Sequence, residues 1–154
     1  MVDRGSLLLR FINFWPPYLG AGIKVKKVAP DNRTIEVEMK LTALNKNYVG
    51  THFGGSLYAM CDPFFMLILI KNLGSDYIVW DKAAVIRFKK PGVGTVRAVF
   101  SISSEEIDSI RARADSEYKV EPQFQARVTD TTGEVIAEVD KTLYVRRKDR
   151  KPAR

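Results

Sequence analysis

The sequence predicts a single α+β domain in which a curved antiparallel sheet of about six strands wraps around one long apolar helix. Three observations support this prediction. Six segments alternate apolar and polar residues as half-buried strands do, one segment is apolar almost all round, and a length of 154 residues suits one domain spanning residues 1–154. With 45% hydrophobic and 28% charged residues, the composition excludes a disordered or collagen-like chain.

The first two strands are predicted from an alternating pattern with a turn between them. Ile23 and Val25 begin the first strand, and residues 35–41 alternate apolar and charged side chains in the second. The intervening residues 30–32, Pro-Asp-Asn, have the chemistry of a tight turn. The pattern therefore predicts a β-hairpin.

Four further strands are predicted in the second half of the chain, over residues 83–90, 96–103, 119–129 and 135–146. Short turns at 91–94 and 131–133 are expected to join them in two antiparallel pairs. Between the pairs, Ser103 and Glu106 have the spacing of a capping box, which predicts the start of a short polar helix.

The central helix is predicted over residues 54–71, which are apolar almost all round and interrupted only by Asp62 and Pro63. A membrane-spanning helix needs about 20 consecutive apolar residues, whereas this segment is shorter and carries a carboxylate. We therefore expect a buried core helix and no membrane span. Gly74 is the expected end of that helix.

The two ends of the chain are predicted to flank this core. The N-terminal segment 1–17 is expected to contain a short helix from Ser6 to Trp15, which Ser6 caps and which Pro16 and Pro17 end. Residues 146–154 form a basic tail that carries five of the seven net positive charges. A short charged terminus is more often solvated than bound to a partner, and no base-stacking aromatic motif accompanies it, so we expect no nucleic-acid binding.

The counts of cysteine and histidine limit the chemistry further. Cys61 is the only cysteine and His52 the only histidine, which excludes an intrachain disulfide and leaves too few ligands for a structural zinc site. Arg10 interrupts the leucine run 7–9, so that segment does not have the pattern of a secretory signal. We therefore expect a cytoplasmic protein without a bound metal.

Polar residues and glycines that break the apolar pattern cluster around the start of the central helix: Asn45, Asn47, Gly50, Thr51, His52, Gly54, Gly55 and Asp62. A carboxylate inside an apolar helix is costly unless it is hydrogen-bonded or functional. Asp62 is therefore the leading candidate for a catalytic group, and its structural alternative is a hydrogen bond to backbone or water near Pro63. A pair of glycines at a helix start lets backbone N–H groups approach a ligand oxygen. His52 is open to either a catalytic or a structural role.

Residues 47–55, Asn-Tyr-Val-Gly-Thr-His-Phe-Gly-Gly, followed by Asp62, resemble the motif at the start of the central helix in hotdog-fold acyl-CoA thioesterases of the phenylacetate type. The order of helices and strands predicted above is also the hotdog arrangement. Most of the chain is similar to the DUF4442 branch of that superfamily. Two positions depart from the common pattern: His52 lies one residue early, and Trp80-Asp81 stands where a Ser or Thr is frequent.

The resemblance implies hydrolysis of an acyl-CoA or acyl carrier protein thioester at the interface of a homodimer or a dimer of dimers. No cofactor is implied apart from the CoA moiety of the substrate. Asp62 would act as general base or nucleophile, Asn47 would orient the water or the carboxylate, and His52 is a further candidate catalytic residue. The candidate substrate-binding residues are Gly54, Gly55, Thr51, Asp81, Lys89 and Lys90.

Two of these groups have specific expected roles. Backbone amides at Gly54 and Gly55 would stabilise the oxyanion that develops on the acyl carbonyl. Lys89, Lys90 and the basic tail are the candidates to meet the phosphates of CoA or an acidic carrier protein. Asp81 is a candidate second acid, and the alternative is an exposed aspartate at a strand end.

Two other functions compete with thioester hydrolysis. The His52-Phe53 pair resembles part of the motif of hotdog dehydratases and hydratases, in which a histidine works with a helix carboxylate, although no proline follows Phe53. A non-catalytic acyl-CoA or lipid-binding protein is the alternative from another class, since a fold does not by itself imply catalysis.

Overall fold

Six strands form one antiparallel sheet in the structure, a computed structural model that describes Leu9 and residues 11–150. In chain order the strands are β1 (Ile23–Val28), β2 (Thr34–Lys40), β3 (Tyr77–Phe88), β4 (Thr95–Ser101), β5 (Gln123–Asp130) and β6 (Val135–Arg147). Their order across the sheet is β1-β2-β4-β5-β6-β3, so β1 and β3 are the edge strands. The predicted α+β class and six-stranded sheet are confirmed.

The apolar segment forms two consecutive helices in the core of the sheet. These are α2 (Gly54–Ala59) and α3 (Phe64–Leu73), and a short α1 (Pro16–Ala21) precedes them. The interruption falls at residues 60–63 because Pro63 has no N–H to continue the helical ladder; it becomes the N-cap of α3 instead. Gly74 ends α3 as expected, with a φ of 93° that favours glycine.

Residues 54–73 are long and apolar enough to cross a membrane by length and composition alone. However, 56% of the most apolar stretch is buried inside the protein. Phe64 contacts Phe100 of β4 with ring centroids 4.9 Å apart, and Phe65 stacks on Phe124 of β5 at the same distance. Burying each such ring is worth roughly 1.5–3 kcal/mol. These are the contacts of a core helix.

The pairing of β3 differs from the prediction. The β1–β2 and β5–β6 hairpins form as expected, but β3 does not pair with β4, which follows it in the chain. It pairs along its length with β6, while β4 lies between β2 and β5. The segment 89–94 crosses between these positions, with the Lys89 N–H bonded to the Ile136 carbonyl and the Gly94 carbonyl bonded to the Leu41 N–H, both at 2.8 Å.

A 3₁₀ helix over Ile12–Phe14 ends at Trp15, directly before the prolines, as expected. Pro16 and Pro17 then begin α1, because a missing N–H costs nothing in the first helical turn; Ser6 lies outside the described residues. Two predicted strand boundaries change. Strand β3 starts at Tyr77, six residues earlier than expected, and so includes Asp81. Strand β6 continues to Arg147, so the first two residues of the predicted basic tail belong to the sheet.

The polar helix after β4 matches its prediction. It is α4 (Ser104–Ser116), and the Ser103 hydroxyl accepts a 3.1 Å hydrogen bond from the Glu106 N–H. Its buried residues are Ile107, Ile110 and Ala114, which form one apolar side against the core. The capping box therefore marked a true helix start.

Candidate functional site

A buried lysine on β6 lies at the centre of a polar cluster inside the sheet. The Nζ atom of Lys141 is 3.0 Å from Oδ1 of Asp62, 3.1 Å from Oδ1 of Asp81 and 3.3 Å from the Tyr58 hydroxyl. The Tyr58 hydroxyl also donates to Oδ1 of Asp62 at 2.8 Å. The side chain of Lys141 is 0% exposed, whereas that of Asp62 is 49% exposed. Asp62 is therefore the most accessible of these three charged side chains.

Three separate elements bring this cluster together. Tyr58 lies on α2 and Asp62 in the break that follows it, while Asp81 lies on β3 just before the irregularity between Asp81 and Ala83. Lys141 lies in the inward register of β6, between the buried Val139 and Leu143. Because successive strand side chains point to opposite faces, this register directs the lysine into the core.

The contact between Lys141 and Asp81 is an ion pair rather than a well-formed hydrogen bond. Its 3.1 Å distance is short, but Oδ1 of Asp81 has no hydrogen-bond partner by geometry. The attraction between Asp81 and Lys141 therefore comes mainly from their opposite charges and not from a directed hydrogen bond. Asp81 is not an exposed strand-end residue, since only 21% of its side chain is exposed.

The electrostatics of the cluster follow from burial and from these pairs. Burial raises the pKa of Asp81, and the charge of Lys141 opposes that shift. Burial lowers the pKa of Lys141, but the hydrogen bond to Asp62 and the charges of Asp81 and Asp62 outweigh it and leave that pKa above its ordinary value. Burial raises the pKa of the neighbouring Cys61 thiol to about 12, so this thiol stays protonated at neutral pH.

The structural alternative for Asp62 can be compared with its actual contacts. At the break over residues 60–63, the Ala59 carbonyl accepts from the Asp62 N–H at 3.3 Å and from the Tyr18 hydroxyl at 3.1 Å. The Asp62 carboxylate bonds instead to Tyr58 and Lys141. Its partners are therefore other polar side chains rather than backbone exposed by Pro63.

Most of the other predicted site residues line a separate cleft of about 590 Å³. The predicted residues on its walls are Asn47, Thr51, His52, Gly54, Lys89 and Lys90. Asp62 and Asp81 line a second pocket of about 540 Å³ together with Tyr58, Lys82 and residues 83, 84 and 86 of β3. Within one chain the predicted residues therefore divide between two cavities, and Gly55 lines neither.

Asn47 organises the loop before α2. Its side-chain amide donates to the Thr51 hydroxyl at 2.9 Å and to the His52 carbonyl at 3.3 Å. The side-chain oxygen Oδ1 of Asn47 accepts from the N–H groups of Val49 and Thr51, at 3.1 and 3.0 Å. The amide of Asn47 is thus engaged within the loop, and Thr51 is one of its partners.

His52 lies buried at the wall of the first cleft. Its Nε2 atom is 2.9 Å from the Gly94 carbonyl, and its Nδ1 atom has no partner in the described part of the chain. Burial lowers the pKa of His52, and the contact with Gly94 opposes this. The ring is therefore mainly neutral at physiological pH, when Nε2 carries the proton that bonds to Gly94.

The glycines at the start of α2 allow aromatic rings to approach the helix closely. A Cβ at Gly54 would lie 2.9 Å from the ring of Phe88, and one at Gly55 would lie 2.5 Å from the ring of Phe53. Neither Gly54 nor Gly55 has an acceptor for its N–H among the described residues, as is usual in the first turn of a helix. Gly54 is therefore a small residue with a free donor at the first cleft.

Two lysines border the same cleft and are both ion-paired. Lys89 is 3.4 Å from Glu138, and Lys90 contacts Glu134. Both lysine side chains are exposed, and ion pairs made by exposed lysines typically contribute at most about 1 kcal/mol. An anionic ligand can therefore compete with the glutamates for both lysines.

Sequence reasoning missed Lys141 and Tyr58. Lys141 had a recognisable signal, because it occupies an inward position in the alternation of β6, where the neighbours on that face are apolar. Tyr58 precedes Asp62 by four residues, a spacing that places two helical side chains next to each other. In the part of the chain that the structure describes, no three His, Cys, Asp or Glu residues come together to hold a metal ion.

A protein-family model described as a domain of unknown function, DUF4442, matches residues 5–145. This range includes every helix and strand described above except the last two residues of β6. No curated protein matches the sequence.

Solved structures match the fold over most of the chain. PA5026 from Pseudomonas aeruginosa, described as a protein of unknown function and probable thioesterase, is 21% identical with a TM-score of 0.82, covering 92% of this chain and 95% of that one. Thioesterase HI1161 from Haemophilus influenzae is 15% identical with a TM-score of 0.66, covering 90% and 88%. A mutant of the phenylacetic acid degradation protein PaaI from Thermus thermophilus is 22% identical with a TM-score of 0.56, covering 84% and 97%. At these identities the likeness establishes the fold.

Proposed function

The chain belongs to the DUF4442 family, and on that premise we propose that it hydrolyses acyl thioesters with Asp62 as the catalytic carboxylate. The observation that carries the proposal is the setting of Asp62. Its carboxylate is half exposed in a pocket although it interrupts an otherwise apolar core helix. A carboxylate that is open to a pocket and held by Tyr58 and Lys141 is placed to accept a proton from water.

The proposed reaction uses Asp62 as a base toward water. The carboxylate accepts a proton from a water molecule, whose oxygen adds to the carbonyl carbon of the thioester. The tetrahedral oxyanion then collapses, the C–S bond breaks, and the proton passes to the leaving sulfur, giving a carboxylic acid and a thiol. Direct attack of Asp62 on the carbonyl carbon is the alternative, and it would form an anhydride that water hydrolyses to the same products.

The oxyanion would be stabilised by the free N–H groups at Gly54 and Gly55. In one protomer Gly54 lines the first cleft and Asp62 the second pocket. We therefore place the complete site between two protomers, with the carboxylate from one and the amides from its partner. Both cavities border β3: Phe88 lines the first, and residues 81–84 line the second.

Edge strand β3 supports this arrangement. It is 12 residues long, and Val85 is 55% exposed near its middle. A long exposed edge offers unpaired N–H and C=O groups to a second strand. If two copies of β3 pair antiparallel near Val85, the Phe88 end of one strand meets the Asp81 end of the other, so the two kinds of cavity become neighbours.

The cations of the first cleft fit an anionic substrate. Lys89 and Lys90 border the cleft, and both lysine side chains are exposed although each is paired with a glutamate. The phosphates of acyl-CoA, or the acidic surface of an acyl carrier protein, would replace these glutamates. His52 would then support the cleft wall through Gly94 rather than act as an acid or base, which gives the dehydratase alternative no support.

The test compares hydrolysis of a panel of acyl-CoA thioesters by wild type, Asp62→Asn and Asp108→Asn. Asp108 is an exposed aspartate on α4 and is the matched control. We expect Asp62→Asn to lower kcat by about 10²–10⁴ with little change in melting temperature, and Asp108→Asn to behave as wild type. Binding of acyl-CoA without hydrolysis by wild type would favour the non-catalytic binding protein instead.

A further inference from the structure

We infer that Lys141 is a positioning residue of the proposed thioesterase site, which holds one oxygen of Asp62 and leaves the other free to react. This inference rests on the proposed function. Lys141 and Tyr58 both contact Oδ1 of Asp62. Oδ2 has no hydrogen-bond or ion-pair partner among the described residues, so it is the oxygen available to water or substrate.

The first argument is the position of Lys141 in the strand. It occupies an inward register position between Val139 and Leu143, and its side chain is completely buried. An ammonium group at such a position is destabilising unless its partners compensate. Packing alone would favour an apolar residue at this position of the strand. The presence of a charged side chain therefore indicates a role other than packing.

The second argument is the balance of charge. One ammonium faces two carboxylates, so the group of Lys141, Asp62 and Asp81 carries a net negative charge when all three are ionised. Asp81 is the more buried of the two acids and compensates the lysine charge. A purely structural ion pair would need only Asp81 and Lys141. The second carboxylate, on Asp62, shares the same ammonium and is exposed to the pocket, so its reactivity is retained while its orientation is fixed.

The other charged and titratable groups near the lysine do not change this balance. Tyr58 and Cys61 face it from α2 and the break, and burial raises the pKa of both, so both are neutral at physiological pH. Lys82 lies at the rim of the same pocket, but its ammonium is paired with Glu121 at 2.8 Å. Asp81 and Asp62 are the acids that face Lys141.

The two carboxylates therefore have different roles. Asp81 keeps the ammonium charged in the core, and the ammonium keeps Asp62 in one rotamer at the helix break. Without Lys141, a half-exposed aspartate next to a proline break would rotate more freely. Losing that orientation lowers kcat more than KM, because the reacting atoms must be aligned for attack.

The decisive variants are Lys141→Met and Lys141→Arg, with Lys24→Met as control. Methionine keeps the apolar stem and removes the charge, whereas arginine keeps the charge. Lys24 is an exposed lysine on edge strand β1. We expect Lys141→Met to lower kcat at least 30-fold with KM changed less than threefold, Lys141→Arg to recover at least fivefold of that loss, and Lys24→Met to match wild type.

A pH profile separates positioning from a purely structural role. Removing a nearby positive charge makes the carboxylates easier to protonate. The acid limb of kcat should therefore move to higher pH in folded Lys141→Met and stay in place in Lys24→Met. If Lys141→Met does not fold, Lys141→Gln, which keeps a donor without the charge, is measured in the same way.

The outcomes distinguish this inference from the function on which it rests. Folded Lys141→Met with wild-type kcat, or with an unmoved acid limb, overturns the positioning role while leaving the thioesterase proposal intact. A loss of kcat that arginine partly rescues, together with a double variant Asp62→Asn/Lys141→Met no slower than Asp62→Asn alone, supports it. Absence of hydrolysis by wild type overturns both.

Discussion

The Tyr58 hydroxyl donates a 2.8 Å hydrogen bond to Oδ1 of Asp62, which follows it by four residues and lies in the break between α2 and α3. This contact is possible because the backbone stays hydrogen-bonded in tight turns through the break. The Cys61 N–H donates to the Tyr58 carbonyl at 2.8 Å, and the Asp62 N–H donates to the Ala59 carbonyl at 3.3 Å. These are bonds between residues three apart, as in a 3₁₀ turn. The tyrosine and the aspartate therefore stay on one side of the broken helix.

Removing that hydroxyl should weaken catalysis without unfolding the protein. We expect Tyr58→Phe to lower kcat about tenfold, the loss of roughly 1.5 kcal/mol that one hydrogen bond to a charged group contributes. KM should stay the same, since the contact is not with substrate. Tyr48→Phe is the control because Tyr48 is fully exposed. Equal kcat for Tyr58→Phe and wild type would show that Lys141 alone orients the carboxylate.

Charge on the exposed edge strand should break the proposed dimer. We expect sedimentation of wild type to give at least twice the 17.4 kDa chain mass, and Val85→Lys to sediment as a monomer, because two like charges would face each other across paired β3 strands. Val99→Lys, on the interior strand β4 and 57% exposed, is the matched control and should stay assembled. A wild-type monomer at micromolar concentration would contradict the interface site.

Adding a methyl group at the start of α2 should lower the stability of the protein. A Cβ on Gly54 would lie 2.9 Å from the Phe88 ring, closer than carbon atoms normally pack. We expect Gly54→Ala to lower the free energy of unfolding by about 1–3 kcal/mol, as in other overpacked positions. Gly20→Ala is the comparison, since nothing lies within 4 Å of its added Cβ. Equal stability of both variants in urea unfolding would mean that the Phe88 ring moves aside freely.

His52 should make stability depend on pH. Burial lowers its pKa below the ordinary value of 6.5, so between these two values the unfolded chain binds more protons than the folded one. The free energy of unfolding should therefore rise with pH through this window and lose the histidine contribution as pH falls through the folded-state pKa. Because burial raises the pKa of Asp81, that residue contributes the opposite slope.

The His52 contribution is isolated by comparing wild type with His52→Gln, whose amide can still donate to the Gly94 carbonyl. His52 is the only histidine in the sequence, so no other histidine contributes to the difference. Urea unfolding between about pH 5 and pH 8 should give a smaller rise in His52→Gln. Parallel curves for the two proteins would indicate that His52 has the same proton affinity folded and unfolded.

The sequence was informative where a residue conflicted with its own surroundings. Asp62 stood out because it interrupts an apolar segment, and the hairpins β1–β2 and β5–β6 were predictable because alternation and turn residues agree there. Lys141 was overlooked because a lysine in a strand is normally assigned to the solvent face. Only the register of β6, with Val139 and Leu143 on either side, places it inward.

The partner of β3 was not predictable for a physical reason. A turn with proline and glycine specifies where the chain changes direction, not which strand lies alongside. The segment after β3 crosses to another part of the sheet, and the long β6 offers a partner of 13 residues. Closeness in sequence did not predict a shared cavity either: residues 47, 49, 51, 52 and 54 line the first cleft, whereas Asp62 lines the second pocket.

The proline break has an electrostatic consequence for Asp62. In an unbroken helix this residue would lie in the middle, far from either end of the backbone dipole. Because α3 starts afresh at Phe64 with Pro63 as its N-cap, Asp62 directly precedes the amino end of a ten-residue helix. The partial positive charge at that end attracts a negative group, and the carboxyl end of α2, which is capped by Met60, opposes this attraction. This attraction comes from peptide groups, so it would persist in variants that remove Tyr58, Asp81 or Lys141.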